Sequence, residues 1–202
     1  MSTLHRMNTR IADEINRTDL STQISTAIIS AIHHYETERF YMNEDRATST
    51  TVPSQEYYGF PSDFVSCDDL MVTVNGNKYK LMRRSQQYLN EIYVSASSYT
   101  GYPVDYSIYD SQFRLYPTPD ATYTLEVHYQ KTFTELSASA SNIWITDAER
   151  LIRSRAKWDV YVNLIHDWES ADRMKAQETE ELFKLRERTG KYGTGSGIRP
   201  YI

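Results

Sequence analysis

The chain has 202 residues, with 22 basic against 27 acidic side chains and a formal charge of −5. That length suits one domain or two small ones and buries about 70% of the extended surface. The acidic balance argues against tight sequence-independent DNA binding, which needs clustered cations to displace counterions.

No apolar run approaches the ~20 residues that span a bilayer, and the start Met1-Ser2-Thr3-Leu4-His5-Arg6 lacks the apolar stretch of a secretion signal. A chain made in the cytoplasm, with no membrane partner, is therefore expected. Cys67 is the only cysteine, so an internal disulfide and a thiolate zinc site are not expected. Tyrosine is the outlier, at 17 residues against 6 Phe and 3 Trp. Its rigid amphipathic ring suits surfaces that are partly buried and partly wet, as in interfaces, and also half-buried strands.

In chain order, Ile11 and Ile15 share a helical face, which predicts a short helix near Thr9–Asn16. Ile24, Ile28, Ala31, Ile32 and Tyr35 recur at three- and four-residue spacing and predict a longer one near Leu20–Thr37, with Asp19 or Ser21 as its N-cap. From Phe40 the pattern turns to short pieces rich in Thr, Val and Tyr. Leu70, Val72 and Val74 alternate before Asn75-Gly76-Asn77, and Tyr79 and Leu81 alternate after it, a hairpin with a primed turn. Ser85 to Ile92 reads as a short helix, with a strand through Glu91-Ile92-Tyr93-Val94 competing.

Val104 to Tyr109, Gln112 to Tyr116 and Thr122 to Tyr129 predict a three-strand antiparallel meander. Its turns fall at Asp110-Ser111 and Pro117-Thr118-Pro119-Asp120, and its apolar face carries Tyr106, Ile108, Phe113, Leu115, Tyr123, Leu125, Val127 and Tyr129. After a small-residue link at Ser137 to Ser141, Thr146-Asp147-Ala148-Glu149 reads as a capping box with Trp144 stapling the helix entry. That helix carries Leu151, Trp158, Val162 and Ile165. Asp167 to Ser170 interrupts it, and a charged helix with Met174, Leu182, Phe183 and Leu185 ends near Gly190.

Four of the seven glycines lie between Gly190 and Ile202. A glycine-serine spacer with an apolar, aromatic tip is how an extended arm reaches and docks on a neighbouring subunit; a frayed terminus is the competing reading. The expected fold is α+β. N-terminal helices (1–40) and long C-terminal helices (137–189) form a helical bundle, an antiparallel β-rich domain (41–136) is inserted between them, and 190–202 form an extended C-terminal arm.

Chemistry is sparse. Adjacent His33 and His34 point about 100° apart on a helix and cannot share one ion. His5, His128 and His166 are isolated, and His128 falls on the strand face opposite the apolar residues. No glycine loop is placed to cradle phosphate. Glu56 with Asp63, or Asp68-Asp69, are carboxylate pairs of the kind glycoside hydrolysis uses. Arg83-Arg84 and Arg150, Arg153, Arg155 and Lys157 could touch phosphates, but Arg150 and Arg153 alternate with the apolar stripe as a solvated face does. Glu180 and Lys184 form an i,i+4 pair. No catalytic residue, metal ligand or cofactor is expected.

The run from Ala31-Ile32-His33-His34-Tyr35-Glu36 to Asn43-Glu44, the stretch Gln55-Glu56-Tyr57-Tyr58-Gly59-Phe60-Pro61-Ser62-Asp63-Phe64, and Gly101-Tyr102-Pro103-Val104-Asp105-Tyr106 resemble head-to-tail adaptor (connector) proteins of short-tailed bacteriophages. So do Leu115-Tyr116-Pro117-Thr118-Pro119-Asp120 and Ser141-Asn142-Ile143-Trp144. The resemblance implies a structural virion protein of the tail or neck region, made in the host cytoplasm. Its copies form a homo-oligomeric ring, commonly a dodecamer, beneath the portal protein, and DNA passes through the channel without sequence-specific binding. Mild acidity suits such a channel wall. The helical part meets the portal. Tyr192, Ile198, Arg199, Pro200, Tyr201 and Ile202 serve as the arm on portal or neighbouring subunits. The β-rich part faces tail nozzle or tail fibre proteins, with Asn75, Gly76, Asn77, Pro117 and Pro119 as candidate tail-facing turns. Two other functions compete: a virion-associated cell-wall-degrading hydrolase acting through Glu56 and Asp63, and a carbohydrate- or peptide-binding module using the tyrosine-rich sheet.

Overall fold

A computed structural model describes residues 3–95, 99–133 and 141–193. The chain divides into a helical unit, made of residues up to Asn43 and from Thr132 onward, and a β-rich unit from Glu44 to Lys131. The fold is α+β, as the alternation of patterns along the chain predicts.

In the helical unit α1 spans Leu4–Glu14, capped by the Thr3 hydroxyl, which accepts from the Arg6 amide at 3.3 Å. It starts five residues before the expected Thr9, because Leu4 and Met7 extend the stripe of Ile11 backwards and all three are buried. α2 spans Ser21–Glu36 and buries Ile24, Ile28, Ala31, Ile32 and Tyr35, as the periodicity predicts. Neither expected N-cap forms. The Asp19 carboxylate pairs with Arg17 at 2.8 Å, and the Ser21 hydroxyl donates to Asn8 at 3.4 Å.

The capping box is also absent. Asn142 caps α4, Ile143–Asp147, by accepting from the Ile145 amide at 3.0 Å. Thr146 therefore sits inside a helical turn, and its hydroxyl donates back to the carbonyls of Asn142 and Ile143 at 3.3 and 3.2 Å. α5, Glu149–Val160, starts after Ala148 with no side-chain cap. Trp144 is wholly buried, edge-on to Phe40 and Phe133 and stacked on Tyr35. It joins α2, α4 and α5 in one apolar core.

A π-helical turn at Tyr161–Ile165 and left-handed His166 end α5, and α6, Trp168–Gly193, restarts where the Asp167 carboxylate accepts from the Ser170 amide at 3.1 Å. The break falls where Asp167 predicts one. α6 carries on past Gly190 to Gly193, so those first residues of the expected arm are helical. The remaining arm residues Ile198, Arg199, Pro200, Tyr201 and Ile202 lie outside the described part.

The β-rich unit has eight strands: β1 Glu44–Thr50, β2 Tyr57–Gly59, β3 Phe64–Val74, β4 Asn77–Lys80, β5 Met82–Arg83, β6 Asp105–Tyr109, β7 Gln112–Tyr116 and β8 Thr124–Lys131, with α3 at Gln86–Ser95. The helical reading of the stretch from Ser85 holds. The strands form two four-stranded sheets, ordered β1-β8-β3-β4 and β2-β7-β6-β5. The β3–β4 hairpin turns at Asn75 and Gly76 with φ of 50° and 80°, a primed turn that Gly76 permits.

β6 and β7 pair antiparallel through a turn at Asp110-Ser111, but β8 leaves them and pairs with β1 and β3 in the other sheet. The expected three-strand meander is therefore split. Its apolar face survives the split, because Tyr106, Phe113 and Leu115 of one sheet and Leu125, Val127 and Tyr129 of the other face a single core between the sheets.

Candidate assembly interface

Tyr192 lies on the last turn of α6, 68% exposed, and its ring stacks on Tyr41 at 4.6 Å. The Arg188 guanidinium lies over the same Tyr41 ring at 5.4 Å and donates to its hydroxyl at 2.8 Å. That hydroxyl in turn donates to Asp147 at 2.9 Å. Burial, and then this bond to a carboxylate, push the Tyr41 phenol above its usual range. Of the expected arm residues, Tyr192 is thus held against the helical unit, ten residues before Ile202.

On the β-rich unit the hairpin residues Asn75, Gly76 and Asn77 are exposed at the end of β3 and β4. Pro117 and Pro119 are buried. Their rings cannot present a tail-facing surface; the backbone there is engaged instead, with the Thr118 carbonyl accepting from Gly101 at 3.0 Å and that of Pro119 from Ser54 at 2.8 Å.

The tyrosines divide between the two roles their number suggests. Tyr35, Tyr58, Tyr106 and Tyr129 are core residues, whereas Tyr79, Tyr88, Tyr99, Tyr102, Tyr109 and Tyr192 are exposed. Tyr79 and Tyr102, each 49% exposed, lie 6.3 Å apart beside exposed Met82 and Val104. Exposed aromatic and aliphatic side chains gathered in this way are of the kind that partners cover.

Two charged clusters were not legible in the sequence. Glu178, on α6, is buried and accepts from Tyr35, from Arg155 at 3.3 Å and from Lys175 at 3.0 Å. Burial works against its charge, but these donors outweigh it and hold the carboxyl below its ordinary value, while burial and the same bond push the Tyr35 phenol far up. Arg153, expected on a solvated face, is 8% exposed and bridges Glu14 at 3.3 Å and Glu149 at 3.6 Å. Glu14 also receives Lys157 at 2.9 Å. The only sequence hint was the alternation of Arg153 with the apolar stripe; Glu149 lies one turn away on the same helix, whereas Glu14 and Glu178 come from distant segments.

Three carboxylates of the hydrolase reading hold partners within the β-rich unit. Glu56 pairs with buried Arg114, which also donates to Asn90, and Asp63 accepts from the Tyr129 hydroxyl at 2.9 Å. That bond, after burial, pushes the Tyr129 phenol up to about 12. Asp69 pairs with Lys80. Both members of the first carboxylate pair thus hold structural partners. His33 faces Glu36 at 2.6 Å, His34 lies edge-on to Tyr35, and His128 meets Glu126 at 3.0 Å on the outer sheet face its parity predicts. Among the described residues no three of His, Cys, Asp and Glu gather as metal ligands, and no helix is long and apolar enough to cross a membrane. Burial pushes the Cys67 thiol up, away from the reactive thiolate.

No curated protein matches the chain. The family model described as SU10 adaptor protein matches residues 2–197, nearly its whole length. The match covers well over half of the chain, which therefore belongs to the SU10 adaptor protein family, as a structural adaptor of a bacteriophage.

Proposed function

We propose that copies of the chain form a ring, twelvefold as the resemblance to head-to-tail adaptors implies, beneath the portal protein and join it to tail nozzle or fibre proteins at the virion neck. The helical unit takes the portal side. The segment running from Tyr192 through Ile198, Arg199, Pro200, Tyr201 and Ile202 docks on the portal or on a neighbouring copy, and the hairpin tip at Asn75, Gly76 and Asn77 faces the tail. DNA passes through the channel without sequence-specific contact, which the net charge of −5 favours.

The observation that carries this reading is the family match over residues 2–197. Six exposed tyrosines support it, since such rings are enriched where proteins meet. A head-to-tail interface that closes by rotation gives each copy two neighbours, so modest contacts are multiplied around the ring. Imaging a mixture of the chain with its portal protein tests the proposal: rings at one end of the portal are expected, and a chain that stays free and monomeric at saturating portal would overturn it.

A further inference from the structure

β1 and β2 are the outer strands of their two sheets on the same side of the sandwich, and a trough of about 270 Å³ runs between them. Its cause is visible in the sequence. The core-facing residues of β1 are Ala47 and Ser49, too short to cover Leu125 and Val127 opposite them, while β2 ends in Gly59. A Cβ added at Gly59 meets nothing within 4 Å. Phe60 supplies a further apolar wall.

Among the described residues no strand pairs with the outer edge of β1, where the Arg46 amide is held by the Asp45 carboxylate at 2.7 Å. The Thr51 amide bonds the Tyr123 carbonyl at 2.8 Å, so by antiparallel alternation Ser49, Ala47 and Asp45 turn their backbone groups toward β8. Arg46, Thr48 and Thr50 then turn theirs outward. Charged side chains blunt the first half of the edge at Glu44, Asp45 and Arg46, and leave Ala47 to Thr50 as the open stretch.

We propose that this trough receives residues 198–202 of a second copy of the chain as an added antiparallel strand. The proposal rests on the reading of that terminus as a docking arm and names its receptor. Ile198, Pro200 and Ile202 alternate with Arg199 and Tyr201. If Arg199 and Tyr201 exchange backbone bonds with outward-facing residues of β1, their side chains share the solvent face of Thr48 and Thr50. The other three then point into the trough.

Pro200 fits this register and not the opposite one. It has no N–H to donate, and this arrangement turns its nitrogen away from β1. There it also stops a further strand from adding. The nine residues beyond Gly193 span at most about 30 Å when extended. Closure of a ring raises the local concentration of each terminus at its neighbour's trough.

The test is a disulfide trap in full-length chains carrying Cys67→Ser, mixed with portal protein. One population carries Gly59→Cys and the other Ile202→Cys. A disulfide between the populations is expected on mild oxidation, with Thr48→Pro on the receiving chain slowing it at least tenfold while leaving the β8 pairing intact. Trapping unaffected by Thr48→Pro would overturn the added strand. Absence of trapping would overturn the site, and so would a disulfide formed only within one chain bearing both cysteines, which means the terminus fills its own trough. A parallel Ile198→Asp chain separates the two readings: normal portal assembly by that variant sinks the docking arm itself, whereas lost assembly without trapping sinks only the trough as its receptor.

Discussion

The helical unit and the β-rich unit solve burial in opposite ways. The helical unit is assembled from the two ends of the chain, and charged contacts link distant segments: Tyr35 to Glu178, Arg10 to Glu149 at 2.8 Å, and Arg186 to Glu38 at 2.5 Å. The β-rich unit is one continuous stretch whose core is aliphatic and aromatic, built from neighbouring strands. All three tryptophans lie in the helical unit, while Tyr58, Tyr106 and Tyr129 serve the sandwich. The difference teaches that the two units can be perturbed and followed separately, tryptophan emission reporting on one alone.

The sharpest break to that separation is Trp144→Ala, which empties the centre of the helical core. It is expected to cost about 3–5 kcal/mol, read from denaturant unfolding by the emission of Trp158 and Trp168. If the hydrogen-exchange protection of β3 and β8 amides falls by as much, the two cores are coupled. Glu178→Ala leaves Arg155, Lys175 and the Tyr35 hydroxyl without their buried acceptor, at about 3–5 kcal/mol near neutral pH. Because the Glu178 carboxyl is held below its ordinary value of 4.5, its stabilisation is present above that pH and is lost as pH falls through the lowered value. Urea titrations of the parent chain and the variant should therefore converge in acid; parallel curves would show that the buried carboxylate contributes nothing.

Smaller changes probe the surface. Gly76→Val forces a branched residue into φ of 80° where nothing crowds its side chain, so the expected cost of about 1–2 kcal/mol is backbone strain alone. It should appear in the sandwich transition and leave tryptophan emission unchanged. Lys184→Ala removes a 2.7 Å pair with Glu180, whose side chain is 67% exposed. A change within about 0.5 kcal/mol is expected by thermal unfolding.

The same contrast explains what the sequence made legible. Periodicity found the face of α2, the β3–β4 hairpin, the strands β6, β7 and β8, and the break at Asp167, because each depends on residues close in the chain. It paired β8 with β7 because adjacent strands usually neighbour one another. What it lacked was the pull of β1 and β3, which cover β8 on both sides. The capping box at Thr146 failed for a similar reason: Asn142 starts a helix earlier and leaves Thr146 inside it. Among the candidate interface residues, the exposed hairpin tip was readable from its turn chemistry. The anchoring of Tyr192 on Tyr41 and Arg188 was not, since those partners meet only after the chain ends have packed.

Hydrogen exchange on portal-bound rings tests the adaptor account most directly. The account predicts that binding the portal slows exchange in the helical unit, strongest around α6 and its Tyr192 end, while the hairpin at Asn75, Gly76 and Asn77 keeps its free rate until a tail protein is added. Protection that falls first on the hairpin, or on neither unit, would contradict it.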